Sequence, residues 1–436
     1  MDKNKRLTVW LPVIIAASIA LGIFIGNHYL SISQGKKRSY SSGNKINAIL
    51  DIIDEQYVDT VSMSKLVEST IPKIFSELDP HSVYIPAEDA SVVNEELEGS
   101  FSGIGVSFNM QTDTILVISV ISGGPAEKAG LLPFDRIISI NDSIFSGKKK
   151  NQGEIMKTLR GAKNSTVKLG VQRGNSPELL YFDVTRGDVP VNSVDVSYEA
   201  AKGIGYIKVS KFARNTYNEF ITAIAKLKQA GCTSFVIDLR GNTGGYMDAA
   251  INMINEFMPE GRLIVYTEGK SFPRSDVYAN GTGTCKDAPI VVLTDEISAS
   301  ASEIFSGAIQ DNDRGTIIGR RTYGKGLVQT QMSLSDGSEM RLTIARYYTP
   351  SGRCIQKKYE MGNTDAYDQD IYNRYMHGEF DSADSIKMDD SLKYQTVGGR
   401  TVYGGGGIMP DIFIPRDTSG VTSYYSNVVN SGVLYL

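Results

Sequence analysis

Residues 290–310 read IVVLTDEISASASEIFSGAIQ, and the fold class follows from them. Ile290–Leu293 is a short apolar run bounded by turn residues, which suits a strand buried on both faces. Ser300 and Glu303 then have the spacing of a capping box, so an amphipathic helix is expected to begin near Ser300. A serine at a strand–loop–helix junction has its hydroxyl at the carboxyl edge of the sheet. There the helix N-terminus offers unpaired N–H groups and the positive end of its dipole. Those features suit an acyl-transfer nucleophile with an oxyanion site beside it. A serine-rich helix cap without any chemistry satisfies the same letters.

Neighbouring segments repeat the alternation. Upstream, Gly205–Ser210 reads as a strand and Thr216–Ala230 as a helix, with a Thr216…Glu219 capping box and Gly231 as its stop. Phe235–Leu239 is an apolar strand interrupted only by Asp238, followed by RGNTGG (Arg240–Gly245) and a helix over Tyr246–Met258. Downstream, Val328–Leu334 and Glu339–Tyr348 form a hairpin about Asp336-Gly337. Strand alternating with helix predicts an α/β core with parallel strands, placed at 188–416. The glycine-rich turn at 240–245 presents successive N–H groups to an anion. It has neither the GxxxxGK[ST] nor the GxGxxG pattern, so an oxyanion hole fits better than a phosphate loop.

A nucleophilic serine needs a base. The three histidines are His28 beside an apolar run, His81 in a helical stretch and His377 in a charged one. None belongs to the α/β core, which argues against a Ser-His-Asp triad. Lys325 lies between Gly324 and Gly326, where backbone can pack closely and strip water from the amine. Bringing a lysine from about 10.4 to about 7.5 takes roughly 4 kcal/mol of desolvation or like-charge effect. A solvated loop lysine is the plain alternative.

Outside this core, residues 99–187 change to short strands: Gly103–Phe108, Thr114–Val120, Arg136–Ile140 and Val167–Gln172. Between them Asn151–Arg160 is predicted helical, with Ile155, Met156 and Leu159 apolar. Residues 44–98 show helical periodicity and no evident chemistry. Lys3, Lys5 and Arg6 precede an uncharged run from Leu7 to Gly26, and twenty helical residues span roughly 30 Å. An uncleaved signal anchor over 7–26 is therefore expected, with residues 1–6 cytoplasmic and the bulk outside. A cleaved signal peptide is the rival. Residues 27–43 are Ser/Gly/Lys-rich and read as a linker; residues 417–436 form a C-terminal tail. The formal charge of −4 argues against nucleic acid as a partner. Three cysteines, Cys232, Cys285 and Cys354, give no zinc spacing and no disulfide framework, with a Cys285–Cys354 pairing left open.

The motifs together resemble the C-terminal processing, or tail-specific, serine peptidases. The resemblance is carried by LDPHSVYI (Leu78–Ile85), GIGV (Gly103–Val106), DLRGNTGG (Asp238–Gly245) and SASASEIFSGAIQD (Ser298–Asp311). It continues through GRRTYGKGLVQ (Gly319–Gln329), YYTPSGRCIQ (Tyr347–Gln356) and GGGGIMPDI (Gly404–Ile412). It implies Ser300 as nucleophile, Lys325 as base and Gln329 as the group orienting that lysine. Gly244 or Gly245, with the N–H of Ala301, would form the oxyanion hole. It also implies an α/β and β multidomain protein: a helical N-terminal arm, a PDZ domain and a core related to the crotonase-like spiral fold.

Residues 99–187 resemble a bacterial PDZ domain, with Gly103, Ile104, Gly105 and Val106 as the carboxylate-binding loop. Such a loop captures a terminal carboxylate while the peptide adds as a strand. The apolar helix face, Ile155, Met156 and Leu159, would wall the pocket for the last side chain. The expected partners are proteins or peptides with free apolar C-termini, and the membrane through the anchor. The helical arm is the candidate surface for homo-oligomerisation. No cofactor or metal is called for. The expected location is the cytoplasmic membrane, with the catalytic part on the periplasmic side. A catalytically silent PDZ adaptor of the cell envelope is the alternative from another class. A crotonase-type acyl-CoA enzyme fails on the anchor and on the lack of a CoA-binding feature.

Overall fold

The computed structural model describes residues 15–23, 42–111, 114–145, 152–417, 419 and 422–431. Two compact units result, Met1–Thr70 and Ile71–Leu436. Of the expected span 7–26, residues 15–23 are helical and the rest lies outside the described residues, as do residues 1–6 and most of the 27–43 linker. Among the described residues no helix is long and apolar enough to cross a membrane. The helix Ser42–Gln56 follows, as its three- and four-residue apolar spacing predicts.

The expected parallel core is present in the larger unit. Its six-stranded sheet runs Val194–Ala201, Ile204–Val209, Ser234–Asp238, Ile290–Thr294, Thr316–Gly319, Ile412–Phe413. Only the first pair is antiparallel. Phe220, Phe235, Phe257 and Phe305 meet edge to face between the sheet and its helices, with centroids 6.2–6.5 Å apart. Burying each such ring contributes about 1.5–3 kcal/mol. The helix Thr216–Gln229 ends at Gly231, whose φ of 96° only glycine adopts without strain. Its start corrects the expected capping box. Asn215 is the cap residue, and the Glu219 carboxylate instead accepts the N–H groups of Ser193 (2.7 Å) and Val194 (3.0 Å). The strand entering the sheet supplies those donors, so the carboxylate ties helix to strand.

A second, antiparallel sheet holds the hairpin Leu327–Ser333/Glu339–Tyr348, turning at Asp336-Gly337 as expected. The segment 44–98 departs from an all-helical reading. Helices Met63–Ser76 and Ala87–Glu98 flank a strand, Val83–Ile85, paired antiparallel with Glu339–Arg341. Val, Tyr and Ile suit a pleated surface, and the Asp79-Pro80 turn before them ends the helix.

The β-rich segment has its own core around Ile115, Val117, Ile137, Ile155, Val167, Leu169 and Val171. Gly103–Phe108, expected as one strand, is two. Ser100–Gly103 pairs with Gly187–Pro190, and Val106–Gln111 pairs with Thr114–Val120. Gly105, at φ 79°, makes the break. Cys232, Cys285 and Cys354 are all free thiols.

Candidate active site

Ser300 stands where the buried strand Ile290–Thr294 gives way to the helix Ala301–Asp311. Its φ of 55° and ψ of −112° are a conformation that residues with a β-carbon rarely adopt. Two features hold it there. The Asn242 carbonyl accepts the Ala299 N–H (3.0 Å) and the Ser302 hydroxyl (2.9 Å), tying the glycine-rich turn to the serine loop. Gly244 packs so closely that a β-carbon on it would stand 2.8 Å from Cβ of Ser300. That position therefore needs glycine.

The Glu303 carboxylate joins the serine loop to the lysine loop. Fully buried, it accepts the N–H groups of Ser300 (2.8 Å), Gly324 (2.7 Å) and Lys325 (2.9 Å) and the Thr322 hydroxyl (2.5 Å). Burial pushes its carboxyl up to about 7, against those hydrogen bonds, which favour the charged form. Tyr347 adds a second tie, its hydroxyl lying 2.5 Å from the Lys325 carbonyl and 3.1 Å from that of Ser300. Its one proton serves one of them at a time.

Lys325 donates from Nζ to Oε1 of Gln329 at 3.1 Å. Burial holds the amine below the ordinary lysine range, and Arg341 pushes the same way, while Asp79 and Glu303 oppose. Ser300, Lys325 and Gln329 line one cavity of 520 Å³, with Gly244, Gly245 and Arg341. Among the described residues no hydrogen bond joins the Ser300 hydroxyl to the Lys325 amine. Catalytic contacts of this kind often close only once substrate is bound. The Gly244 N–H is already given to Oδ1 of Asn242 at 2.8 Å. The N–H groups of Gly245 and Ala301 have no acceptor among the described residues, so of the three expected donors these two are unpartnered.

His81 is nearer than its place in a helical stretch suggested. Its backbone carbonyl accepts Nε2 of Gln329, and its ring lies 2.9 Å from the Tyr367 hydroxyl. Burial first, then Lys325, lowers the imidazole to about 4, so it is neutral at ordinary pH. Asn242, Glu303 and Tyr347 are the other residues to which sequence reading assigned no part in the site. Glu303 had a signal, the Ser-x-x-Glu spacing, but that spacing points only to a helix cap.

The second expected site is a groove of 210 Å³ lined by Ile104, Gly105, Val106, Phe108, Met156 and Leu159, among others. The N–H groups of Ile104 and Gly105 have no acceptor among the described residues. Ile155 does not face this groove. It is fully buried in the core of the domain, and Met156 takes the wall position beside Leu159. One residue moves a side chain about 100° round a helix, which decides between core and groove. Gly103 ends the preceding strand opposite Gly187 and lies outside the lining.

A model described as Peptidase family S41 matches residues 203–365, and one described as PDZ domain matches residues 102–195. The carboxy-terminal processing protease CtpB of Bacillus subtilis is 35% identical over 318 residues, covering 72% of this chain and 66% of its own length. A Staphylococcus aureus protein named Probable CtpA-like serine protease is 33% identical over 365 residues, 82% of this chain and 72% of its own. Among solved structures, the photosystem II D1 C-terminal processing protease aligns with a TM-score of 0.43 and 25% identity, over 86% of this chain and 94% of its own. The chain belongs to peptidase family S41, and within it to the PDZ-containing carboxy-terminal processing serine peptidases.

Proposed function

We propose that this protein binds polypeptides by their C-terminal tails and cleaves near those tails through a serine–lysine mechanism. The observation that carries the reading is the strained Ser300, in one cavity with a buried lysine of lowered basicity. In the neutral state the Lys325 lone pair takes the Oγ proton as Ser300 attacks the scissile carbonyl carbon. The resulting oxyanion accepts hydrogen bonds from Gly245 and Ala301. Collapse breaks the C–N bond, and the leaving amine takes the proton from Lys325. Water then attacks the acyl carbon, giving its proton to Lys325; collapse breaks the ester C–O bond, and the Ser300 oxygen takes that proton back.

Tail capture is supported by the free N–H groups of Ile104 and Gly105 above an apolar groove. A C-terminally amidated peptide, lacking the charge, is expected to bind about ten- to a hundredfold more weakly than the free acid. Charge-assisted hydrogen bonds are worth roughly 1.5–3 kcal/mol. Gly105→Glu, which blocks the loop and adds a like charge, acts the same way. Titration calorimetry with matched acid and amide peptides checks this, and equal affinities would remove the capture role.

Membrane attachment through residues 7–26, with the catalytic part on the periplasmic side, is supported by the basic residues before an uncharged run. The intact chain is expected to sediment with membranes, and deletion of residues 1–27 to release a soluble, active enzyme. That soluble form keeps the exposed Ile46, Ile49 and Ile52, and is expected to exceed monomer mass by light scattering. A mature cellular N-terminus near residue 27 would instead establish a cleaved signal peptide, and a monomer mass would remove the self-association role of the arm.

A further inference from the structure

Gln329 is held on two sides, and the two sides differ in kind. Its Oε1 accepts from Nζ of Lys325 at 3.1 Å, and its Nε2 donates to the backbone carbonyl of His81. A carbonyl can only accept, so the amide is forced to turn its NH₂ to His81 and its oxygen to the lysine. A neutral lysine must then spend an N–H on Gln329, which leaves its lone pair free for the Ser300 proton. Were the amide reversed, its NH₂ would donate into that lone pair and occupy the base. The position of the His81 carbonyl therefore bears on the chemistry.

Asp79 sets that position. Its Oδ1 accepts the N–H groups of His81 (3.0 Å) and Ser82 (3.1 Å) and the Thr343 hydroxyl (2.9 Å); its Oδ2 accepts the Ser82 hydroxyl (2.5 Å). Ser82 Oγ in turn accepts the Thr343 N–H at 3.1 Å. Thr343 is the residue directly opposite Gln329 in the hairpin, at a bulge between Val328 and Gln329. The same turn is braced from its far side. His81 reaches the Tyr367 hydroxyl, Gln356 Nε2 reaches that hydroxyl at 3.3 Å, and Gln356 Oε1 accepts the Gly326 N–H at 2.7 Å. The chain of contacts thus returns to the residue next to Lys325.

We propose that the Asp79–Ser82 turn is a clamp that fixes the orientation of the Gln329 amide, and that Asp79 is a positioning residue for the cleavage reaction. The proposal rests on Lys325 being the base. Among the described residues, the charged or titratable groups facing that amine are Asp79 and His81 from the turn, Glu303 from the serine helix and Arg341 from the hairpin.

The test uses the purified full-length enzyme and compares kcat, KM and the pH profile of wild type with Asp79→Ala, Asp79→Asn, Thr343→Val and Lys325→Ala. Asp79→Ala is expected to lower kcat about ten- to a hundredfold with KM within about twofold, as a misplaced catalytic group does. Thr343→Val, which removes one hydroxyl and no charge, is expected to lower kcat severalfold without moving the acid limb. Asp79→Asn is expected to recover part of the kcat lost in Asp79→Ala. It also moves the acid limb to lower pH, because a negative charge that favours the ammonium form of Lys325 is gone. A purely structural role for the turn would not separate these effects. Should Asp79→Ala fail to fold, Asp79→Asn and Thr343→Val decide. Folded variants with wild-type kcat and an unmoved acid limb overturn the clamp while leaving the base in place. Cleavage by Lys325→Ala overturns the base, and the clamp with it.

Discussion

Ser300→Ala and Lys325→Ala are each expected to lower kcat by on the order of 10⁴ to 10⁶, and the double variant to lose no more than either alone. Nucleophile and base act as one unit, so removing the second member of a broken pair costs nothing further. Both variants keep the fold. Losing the Ser300 hydroxyl leaves the Ser300 N–H tied to the Glu303 carboxylate, and alanine occupies the same backbone conformation. Lys325→Ala removes a buried amine whose charged form burial disfavours. Steady-state cleavage of a tailed substrate, beside circular dichroism melts, checks both points. More than a few per cent of wild-type turnover in Lys325→Ala excludes it as the base. In the wild type, the acid limb of kcat/KM falls below the ordinary lysine range, because burial depresses Lys325.

Glu303 is the next most damaging position, for a different reason. Glu303→Ala strips the acceptor from three buried N–H groups and one hydroxyl at once. Each unsatisfied group costs about 1–3 kcal/mol, against a total stability of about 5–15 kcal/mol. The variant is expected to be unfolded or severely destabilised. Glu303→Gln is gentler. With its oxygen turned to the N–H groups of Ser300 and Lys325, its NH₂ faces Thr322, whose hydroxyl can accept, and only Gly324 is opposed. It is expected to fold with a melting temperature a few degrees lower and with reduced kcat. The pH dependence gives a sharper check. The folded-state value of about 7 lies above the usual 4.5, so the proton is held more tightly in the folded state. That stabilisation is present below about 4.5 and is lost as pH rises through about 7. Glutamine has no such loss, so the gap in melting temperature between wild type and Glu303→Gln narrows over that interval. A gap that widens with rising pH would mean the carboxyl is not raised.

The parallel core was legible because its strands are short apolar runs closed by glycine turns, and Ile290–Leu293 and Phe235–Leu239 announce themselves by period alone. The junction at Ser300 was legible from the strand–loop–helix pattern, whereas the roles proposed for Ser300 and Lys325 came from the resemblance. What escaped were residues whose importance lies in distant partners. Glu303 has the spacing of a local cap, and nothing in that spacing says that the same carboxylate reaches Thr322, Gly324 and Lys325. Asp79 and His81 sit in a stretch with helical periodicity, and the strand after them forms only because Glu339–Arg341 offers an edge. Ile155 and Met156 are adjacent apolar letters, and only the roll of the helix separates core from groove.

Strand Val83–Ile85 on Glu339–Arg341 and Asp79 on Thr343 are among the longest closures in the chain; the latter pair is 264 residues apart. Contacts of such separation form late in folding, after the entropy of a long loop has been met. The carbonyl that fixes the Gln329 amide belongs to the first of these segments, and Gln329 lies next to the second. A chain still being synthesised therefore carries Ser300 and Lys325 without a finished site around them. Activity is accordingly expected to appear only as these long closures are made.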